Sequence, residues 1–363
     1  MTGSMYAAIA GLQTHMQKMN VIGNNIANAN TYGFKPGVTS FSESMYTSIS
    51  NSTASGTQYG GTNASQIGYG SQVASIDLNM TGGTYAPTGI NSHLYLDGNG
   101  FFMVGPKPAE ENGYEPDPNN LTLKRVGNFF LDNEGYLVDS NGYCVYGFMP
   151  QGKGDGTMAT NDDGTVKWDT CLRPIRLPVA AQGSDDQLNI KEGGAVYPTL
   201  NPDDNTLTWP EVGAAPSDAD KRVDVQSVNL SVDQNGVITA VTQGNVAVTV
   251  GVIPIGSVVN PNGLTKESDG YYKAGNNAGE VVVGTCSGTV SGALNNGNVQ
   301  DTDSIKLTGA GKTKILSGGL ESSKTDIATE FADLITTQRG FQANTKIITV
   351  TDEMLSDLVS MKR

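Results

Sequence analysis

The sequence is poor in the residues from which most catalytic and metal-binding sites are built. Its 363 residues include two histidines and three cysteines. Neither His15 nor His93 has a cysteine or a second histidine at metal-site spacing. Cys144, Cys171 and Cys286 form an odd set without metal-ligand spacing, so we expect isolated, partly buried thiols. The composition therefore predicts neither a bound metal nor a cofactor.

The chain also lacks an excess of positive charge. It has 22 basic and 36 acidic side chains, for a net charge of −14. The ends are nearly neutral, so the negative charge lies in residues 41–319. An acidic surface argues against nucleic acid or an anionic membrane as a partner, and nothing points to a small-molecule substrate. Near-neutral ends instead suit packing against further copies of themselves.

Long apolar runs are absent as well. No stretch approaches the ~20 apolar residues that a membrane-spanning helix needs. The first residues lack a basic region, and polar residues such as Gln13, Gln17 and Lys18 interrupt the apolar ones, so a cleavable secretory signal is not expected. By that criterion alone the protein would stay in the cytoplasm.

Glycine, by contrast, is abundant, with 46 residues. Short alternating segments and turn sequences predict β-structure from Ser75 to Gly147 and again from Val228 to Val259. Within the first of these segments, residues 101–104 and 129–131 are predicted to be buried strands. Turn signals recur at residues 97–100, 133–135, 140–142 and 233–236. We therefore predict a mainly β fold with α-helices at the two termini only.

The N-terminal segment carries an apolar stripe at helical spacing. Asn-rich sequence at residues 24–30 and Gly33 should end this helix, because Asn and Gly tolerate left-handed backbone. The polar segment that follows offers no adjacent core, which favours a coiled-coil-like seam over an ordinary amphipathic helix. The stripe consists of Met5, Ile9, Leu12, Met16, Met19 and Ile26.

The C-terminal segment carries a heptad repeat of apolar residues, with Ser322 or Ser323 as the expected N-cap. The second seam position is mixed, and a further apolar patch lies off the stripe, so one partner helix cannot cover them all. The heptad is Leu320, Ile327, Leu334, Phe341, Ile348 and Leu355; the mixed position reads Phe331, Gln338, Thr345, Asp352 and Val359; the patch is Ile335, Ile347, Met354, Leu358 and Met361.

The sequence contains partial matches to motifs of enzymes and metal sites, but none of them is complete. Gly311-Lys312-Thr313 lacks the first glycine of a phosphate-binding loop, which would fall at Lys306. Residues 161–164 resemble a calcium loop without its ligand spacing or closing Glu. Nothing pairs two carboxylates into an acid–base couple. We predict that the protein is not an enzyme.

Changes in composition predict a nested domain order. Two terminal helices form one assembly domain, and an outer β domain is inserted into an inner one. The boundaries are 1–35 for the N-terminal helix, 36–75 for a bracing linker, 76–148 and 228–318 for the inner β domain, 149–227 for the outer β domain, and 319–363 for the C-terminal helix.

Several motifs together resemble one protein family. Residues 24–35 (NNIANANTYGFK) are similar to the N-terminal signature of the bacterial flagellar rod and hook family. Residues 319–323 (GLESS), 338–346 (QRGFQANTK) and 351–355 (TDEML) resemble its C-terminal signature. Interior segments at 100–104, 125–129, 135–138 and 261–264 follow in the family's order. Lys324-Thr325 and Tyr32 depart from the usual pattern without disturbing the helix register.

The resemblance implies a subunit that polymerises through its termini. Gly340-Phe341 and the insertion near 149–225 favour the hook branch of the family, a flexible joint that transmits torque; the distal rod branch is the alternative. Residues expected in assembly beyond the N-terminal stripe are Asn24, Asn25, Asn28, Asn30, Thr31, Gly33, Phe34 and Lys35. At the C-terminus they are Leu320, Ile327, Phe331, Leu334, Gln338, Arg339, Phe341, Asn344, Ile348 and Leu355.

The same resemblance implies the protein's partners and location. They are further copies of the chain, the hook cap, distal rod and hook–filament junction proteins, and the flagellar type III export apparatus, with an extracellular location reached without a cleavable signal. Two other classes remain open. A secreted β-rich adhesin would not need its terminal helices, and a β-rich hydrolase would need a cleft with coupled acids.

Overall fold

The computed structural model divides into two compact units, each taken here by itself. Unit 1 contains residues 1–80 and 323–363, and unit 2 contains residues 81–322. The structure describes residues 2–56, 60–107, 120–132, 135–150, 168, 172–176, 190–191, 194–195, 199–200, 207–208, 225–242, 247–286, 288–289, 294–295, 298–299 and 313–361.

Unit 1 contains two α-helices, α1 (Thr2–Ala27) and α2 (Ile327–Met361). Helix α1 ends within the Asn-rich sequence, so the predicted helix end is confirmed. The backbone N–H of Asn28 donates the last helical hydrogen bond, to the carbonyl of Asn24. Gly33 then takes a positive φ of 66°. A side chain at that φ would be strained, so glycine allows the chain to turn there.

The start of the C-terminal helix differs from the prediction. The sequence predicts helix from residue 319, but α2 begins at Ile327 and Leu320 lies in a buried strand. Asp326 supplies the cap, because its carboxylate accepts a bond from the backbone N–H of Ala328 (3.1 Å). The prediction of Ser322 or Ser323 as the cap was wrong, as was the placement of Leu320 on the helix.

A long two-stranded antiparallel ribbon completes unit 1. Strand β1 pairs with β4, and β2 pairs with β3. Between the two ladders, backbone bonds from Ser44 to Gly70 and from Tyr69 to Met45 keep the ribbon continuous. Both β1 and β4 pack against α1. The strands are β1 (Gly37–Glu43), β2 (Tyr46–Ser50), β3 (Ser65–Gly68) and β4 (Ser71–Leu78).

In the residues that the structure describes, unit 2 is composed of β-strands with two short 3-10 turns at Pro261–Gly263 and Ser268–Gly270. Its strands are β5 (Tyr85–Pro87), β6 (His93–Asp97), β7 (Phe102–Gly105), β8 (Thr122–Lys124), β9 (Gly127–Asn128), β10 (Phe130–Leu131), β11 (Leu137–Val138), β12 (Cys144–Gly147), β13 (Arg173–Pro174), β14 (Ile190–Lys191), β15 (Gly194–Ala195), β16 (Thr199–Leu200), β17 (Leu207–Thr208), β18 (Val225–Val232), β19 (Val237–Thr242), β20 (Ala247–Val252), β21 (Ile255–Val258), β22 (Leu264–Lys266), β23 (Tyr271–Ala274), β24 (Val281–Thr285), β25 (Gly288–Thr289), β26 (Leu294–Asn295), β27 (Asn298–Val299), β28 (Lys314–Ser317) and β29 (Gly319–Glu321).

The pairing of these strands joins distant parts of the sequence. The largest sheet has the order β10-β11-β12-β7-β8-β23-β22, with β13 added on β12. Three-stranded sheets have the orders β28-β6-β9, β18-β19-β20 and β21-β24-β25, and β29 pairs with β5. The described pairs are antiparallel, so unit 2 is a set of packed antiparallel sheets.

A large apolar core is shared by distant segments of unit 2. Leu96 and Phe102, near the start of the unit, share it with Ile238 and Ile253 from the middle and Ile315 from the end. Each fully buried side chain of this size contributes about 1.5–3 kcal/mol through removal from water. The core thus includes both segments assigned from sequence to the inner β domain.

The predicted turns mostly agree with the structure. The 97–100, 140–142 and 233–236 segments are turns, in which Gly98, Gly142 and Gly236 take positive φ values. Buried strand is confirmed at β7, whereas Phe130, which the sequence places in a buried strand, is exposed. The reason is local, since alternation along a strand turns Phe129 inward and its neighbour outward.

The predicted outer domain falls largely outside the described residues. Of its span 149–227, the structure describes the start, isolated strands and a segment at 172–176 that includes β13. That segment pairs with β12, and Ile175 belongs to the shared core of unit 2. Residues 161–164, which resemble a calcium loop in sequence, also lie outside the described residues. Among the helices that the structure describes, none is long and apolar enough to cross a membrane.

Candidate assembly surface

The two helices of unit 1 run antiparallel and approach closely through small residues. A methyl group added to Gly11 would lie 2.5 Å from Nδ2 of Asn344, and one added to Gly340 would lie 2.7 Å from the ring of His15. A larger side chain at either glycine would require the facing side chain, Asn344 or His15, to move. Glycines therefore set the distance between α1 and α2 at these two levels.

Polar contacts join the helices near the start of α2. Asn25, which is 1% exposed, donates from Nδ2 to Oε1 of Glu330 (2.9 Å). The same amide donates to the carbonyl of Gly37 (2.9 Å) and accepts from its N–H (3.0 Å). One side chain therefore joins α1, β1 and α2. Burial raises the pKa of the Glu330 carboxyl, and the bond from Asn25 opposes this shift.

A second polar contact lies further along the pair. Nζ of Lys18 is 3.8 Å from Oδ2 of Asp333 and 5.9 Å from the ring centroid of Phe41 on β1. The ring of His15 meets the same phenyl ring edge-on at 6.0 Å. Since the Asp333 carboxylate is half exposed, this ion pair adds little stability but helps to fix the register of the helices.

The predicted N-terminal stripe is largely uncovered in the single chain. Met5, Ile9 and Met16 are exposed, and Leu12, Met19 and Ile26 are half-buried. The buried positions of α1 are instead Ala8, Gly11, Thr14, Ile22 and Asn25. The chain's own contacts therefore use a narrow, mostly small-residue face, and large apolar side chains remain outside it.

The predicted C-terminal residues show the same pattern. Leu334, Phe341, Asn344 and Ile348 are half-buried; Ile327, Phe331, Gln338, Arg339 and Leu355 are exposed; so are Ile335, Ile347, Met354, Leu358 and Met361 of the second patch. Since Gly11 lies opposite Asn344, α1 begins near the level of Thr351, and residues 352–361 are all exposed. This last part of α2 extends beyond α1.

The remaining residues of the N-terminal signature have mostly local roles. Asn28 bonds Asn24, and Thr31 bonds Asn28, so these side chains stabilise the end of α1. Asn30 is exposed, whereas Gly33, Phe34 and Lys35 are buried. The buried members of the signature thus shape unit 1 and do not lie on its open surface.

Sequence reasoning missed three buried threonines on the helices of unit 1. Thr337 and Thr351 on α2 are buried, as is Thr14 on α1. A signal for them exists in the sequence, since Glu330, Thr337, Asn344 and Thr351 recur every seven residues, as a helix seam requires. An apolar heptad search passes over a polar and small-residue seam of this kind.

The described part of unit 2 encloses two buried ion pairs. Lys124 lies 2.9 Å from Asp139, which also accepts a bond from the hydroxyl of Tyr271. Burial alone would raise the pKa of the Asp139 carboxyl, but the bonds from Tyr271 and Lys124 and the lysine charge hold it below its usual value. Arg125 and Glu321 form the other pair at 2.5 Å.

The described His, Cys, Asp and Glu side chains are scattered, and two of the cysteines are buried. Among the residues that the structure describes, no cluster of three or more His, Cys, Asp or Glu side chains could hold a metal ion. The thiols of Cys144 and Cys286 are buried, and burial raises the pKa of Cys286 to about 12. Such a thiol stays protonated and unreactive near neutral pH. Cys171 lies outside the described residues.

Comparisons with known proteins match both ends and the full length of the chain. The model described as "Flagella basal body rod protein" matches residues 5–35, and "Flagellar basal body rod FlgEFG protein C-terminal" matches residues 316–361. The flagellar basal-body rod protein FlgG of Bacillus subtilis is 30% identical over 363 residues, covering all of both chains. The flagellar hook proteins FlgE of Borreliella burgdorferi and Treponema pallidum are 28% and 25% identical, also covering all of both chains.

Proposed function

The chain belongs to the flagellar rod and hook family, and from this premise we propose that it is a structural subunit of the flagellar hook. In this function many copies polymerise into a flexible tube that carries motor torque from the rod to the filament. The similarity to hook proteins of several bacteria along their whole length supports the proposal.

One observation carries the proposal in physical terms. The terminal helices pack on each other through small and polar residues and leave large apolar side chains exposed, such as Met16 and Phe331. Exposed apolar area of this kind is costly in water and marks a surface that another protein covers. In a helical polymer, the neighbouring copies supply that cover.

The proposed assembly residues divide into two groups. Those on the open surface, including Met5, Ile9, Ile327 and Leu355, would bury their side chains against other copies. Those inside unit 1, including Asn25, would act indirectly by fixing the helix register. Leu320, as a buried residue of unit 2, belongs to neither group.

We extend the proposal to the order of the layers. The helices form a coiled-coil inner tube, the segment 36–75 braces it, and the β domains, with the outer one spanning 149–227, lie outside. Small polar interfaces exchange at low energetic cost, so acidic, Gly-rich outer domains suit contacts that slide as the hook turns. Deleting residues 177–224, which leaves strand β13 and Ile175 in the core of unit 2, should leave tubes able to form but change their stiffness or curvature. Unchanged mechanics would contradict the sliding role.

The partners and location follow from the same premise. We propose contacts with the hook cap, distal rod and hook–filament junction proteins, and export to the cell exterior through the flagellar type III apparatus. We also propose that the protein has no enzymatic activity, which agrees with the structural roles in its relatives' names.

Complementation tests the proposal most sharply. The gene would be expressed in one strain that lacks the hook subunit and in another that lacks the distal rod subunit, and basal bodies would be imaged by electron microscopy. We expect curved hooks in the first strain and no rescue in the second. Rescue of the rod strain alone would overturn the hook assignment.

The distal rod is the second candidate, and one observation favours it. The relative from Bacillus subtilis, a rod protein, is 30% identical across the whole chain, slightly more than the hook proteins. Rod and hook subunits share the terminal segments, so the surface described above fits both. The complementation arms separate the two functions.

A further inference from the structure

The chain enters and leaves unit 2 through two neighbouring segments. Residues 81–87 lead in, and residues 317–322 lead out. Strand β5 of the first segment pairs with β29 of the second, with Leu320 opposite Ala86. Beyond the ladder, the N–H of Ser322 donates to the carbonyl of Thr84 (2.9 Å). The incoming and outgoing backbones therefore lie side by side.

Two glycines allow this close approach. A methyl group on Gly83 would lie 2.1 Å from the carbonyl oxygen of Ser322, and one on Gly319 would lie 2.4 Å from the ring of Tyr85. Both distances are shorter than any real contact of a Cβ atom, and at Gly83 the obstacle is backbone. The sequence thus keeps both positions free of side chains, which brings the two segments into direct contact.

The guanidinium group of Arg125 donates hydrogen bonds to three backbone carbonyls. Its Nη1 donates to the carbonyl of Gly100 (2.6 Å), and its Nη2 donates to those of Leu96 (2.9 Å) and Gly98 (2.7 Å). Gly98 and Gly100 have φ values of 124° and 132°, which other residues rarely adopt. The loop between β6 and β7 is therefore shaped so that its carbonyls converge on the arginine.

Glu321 connects that guanidinium to both segments. It belongs to the outgoing strand and accepts a bond from Nε of Arg125 on Oε2 (2.5 Å). Its other oxygen accepts from the backbone N–H of Gly83 in the incoming segment (2.6 Å). The arginine is 3% exposed and the glutamate 2%. Buried charges are tolerated only with near-complete pairing, so loss of one partner disturbs all groups that it holds.

From these contacts we propose that Arg125 and Glu321 form a clamp that makes the incoming and outgoing segments of unit 2 open and close as one element. The clamp acts by position and touches no ligand. The segments then behave as a single two-stranded stem, and force that reaches either strand is shared by its neighbour. The load-sharing consequence rests on the proposed hook function, whereas the coupling of the two segments does not.

Hydrogen exchange of the full-length monomer, followed by mass spectrometry, tests the coupling. Arg125→Lys keeps the positive charge but cannot reach all four acceptors. We expect amide exchange in residues 81–88 and in residues 316–322 to accelerate together, each by about tenfold or more. Exchange in strands β18–β20, far along the sequence, should change much less.

A second variant covers the case in which the lysine variant unfolds unit 2. Glu321→Gln keeps the size of the side chain and one acceptor oxygen but leaves the charge of Arg125 unpaired. It should also accelerate exchange in both segments, by a similar factor in each. If either variant exposes only one segment, or neither, the clamp is overturned whether or not the protein forms hooks.

Asp139→Asn is the matched control. It breaks the neighbouring ion pair with Lys124, which is as deeply buried, with 2% and 0% exposure. We expect faster exchange around residues 139–143 and Tyr271, with the two segments unaffected relative to the rest of the unit. Equal acceleration of the segments in this control would show general loosening and would contradict a specific clamp.

Discussion

The two units of this protein use their apolar side chains in opposite ways. In unit 2, Leu96 and Phe102 are fully buried in a core that unites distant strands. In unit 1, Phe331 and Met361 are 49% and 81% exposed, while Gly11 and Thr337 occupy the contact between the helices. Among the described residues, unit 2 buries most of its large apolar side chains within one chain, whereas the helices of unit 1 leave many of theirs exposed.

The difference separates folding from assembly within one molecule. The contact between the helices consists of buried polar and small residues. These residues fix the register of the two helices but stabilise the pair only weakly, because hydrogen bonds contribute only about 0.5–1.5 kcal/mol each. Apolar burial, the larger source of free energy, is left for contacts with other copies. The helix pair should therefore be weak in the free subunit and strong in the polymer.

Alanine substitution of one phenylalanine in each unit should give the largest difference in stability between the two units. Phe102→Ala should lower the free energy of unfolding of unit 2 by about 3–5 kcal/mol, because it leaves a cavity. Phe331→Ala should change the stability of the monomer by less than about 1 kcal/mol, because that ring is half in water. Urea denaturation of both variants measures this. Equal losses would show that the helices already have a core of their own.

Leucine substitutions at two glycines test whether the helices pack closely at Gly340. Gly340→Leu should destabilise unit 1 by about 1–3 kcal/mol, because the new side chain collides with His15. Gly23→Leu is the control, since nothing lies near its Cβ position, and it should stabilise α1 by about 0.5–1 kcal/mol. Circular dichroism at the helix band during thermal unfolding reports both. A stable Gly340 variant would mean that the helices do not pack at this level.

Replacing Asn25 tests the polar junction. Asn25→Ala leaves the N–H of Gly37 and the carboxylate of Glu330 without their partner and should cost about 1–3 kcal/mol. Asn20→Ala, at an exposed position of the same helix, should be neutral or slightly stabilising. Hydrogen exchange of residues 20–40 and 326–335 measures the effect. No difference between the variants would remove Asn25 from its proposed positioning role.

Alkaline pH should destabilise unit 2, with no effect near neutrality. Burial raises the pKa of Cys286 to about 12, and burial together with the charge of Glu321 raises that of Tyr272 to about 12. The unfolded chain loses these protons at lower pH, so stability is complete below about pH 9 and falls as pH rises toward 12. Cys286→Ala should flatten this fall by up to about 1.4 kcal/mol per pH unit. Urea denaturation at several pH values measures how stability falls with pH. If Cys286→Ala and the unchanged protein lose stability equally steeply, the prediction is contradicted.

The sequence predicts much of the fold because its signals are local. Asn24 to Asn30 and Gly33 end α1 as predicted, and Asn235-Gly236 makes the predicted hairpin turn. The start of α2 was misplaced, because the apolar heptad continues back to Leu320 although that residue pairs in a strand. Periodicity alone cannot separate a helix position from a buried strand position.

The details of the site depended on contacts distant in sequence. The exposed stripe residues could be named in advance, since their heptad spacing is visible. Glu330 and Asn25 are 305 residues apart, and nothing in either neighbourhood predicts their bond. The same holds for Arg125 and Glu321, whose motifs resemble the family's signatures but whose contact appears only in the fold.

Sedimentation velocity with electron microscopy tests most directly whether other copies complete unit 1. The full chain would be compared with the double variant Phe331→Asp and Leu358→Asp, and with Gln342→Glu, which adds a charge at an exposed polar position. We predict tubes or filaments from the full chain and the control, and a folded monomer with an unchanged urea transition from the double variant. Assembly of the double variant into the same tubes would contradict the account.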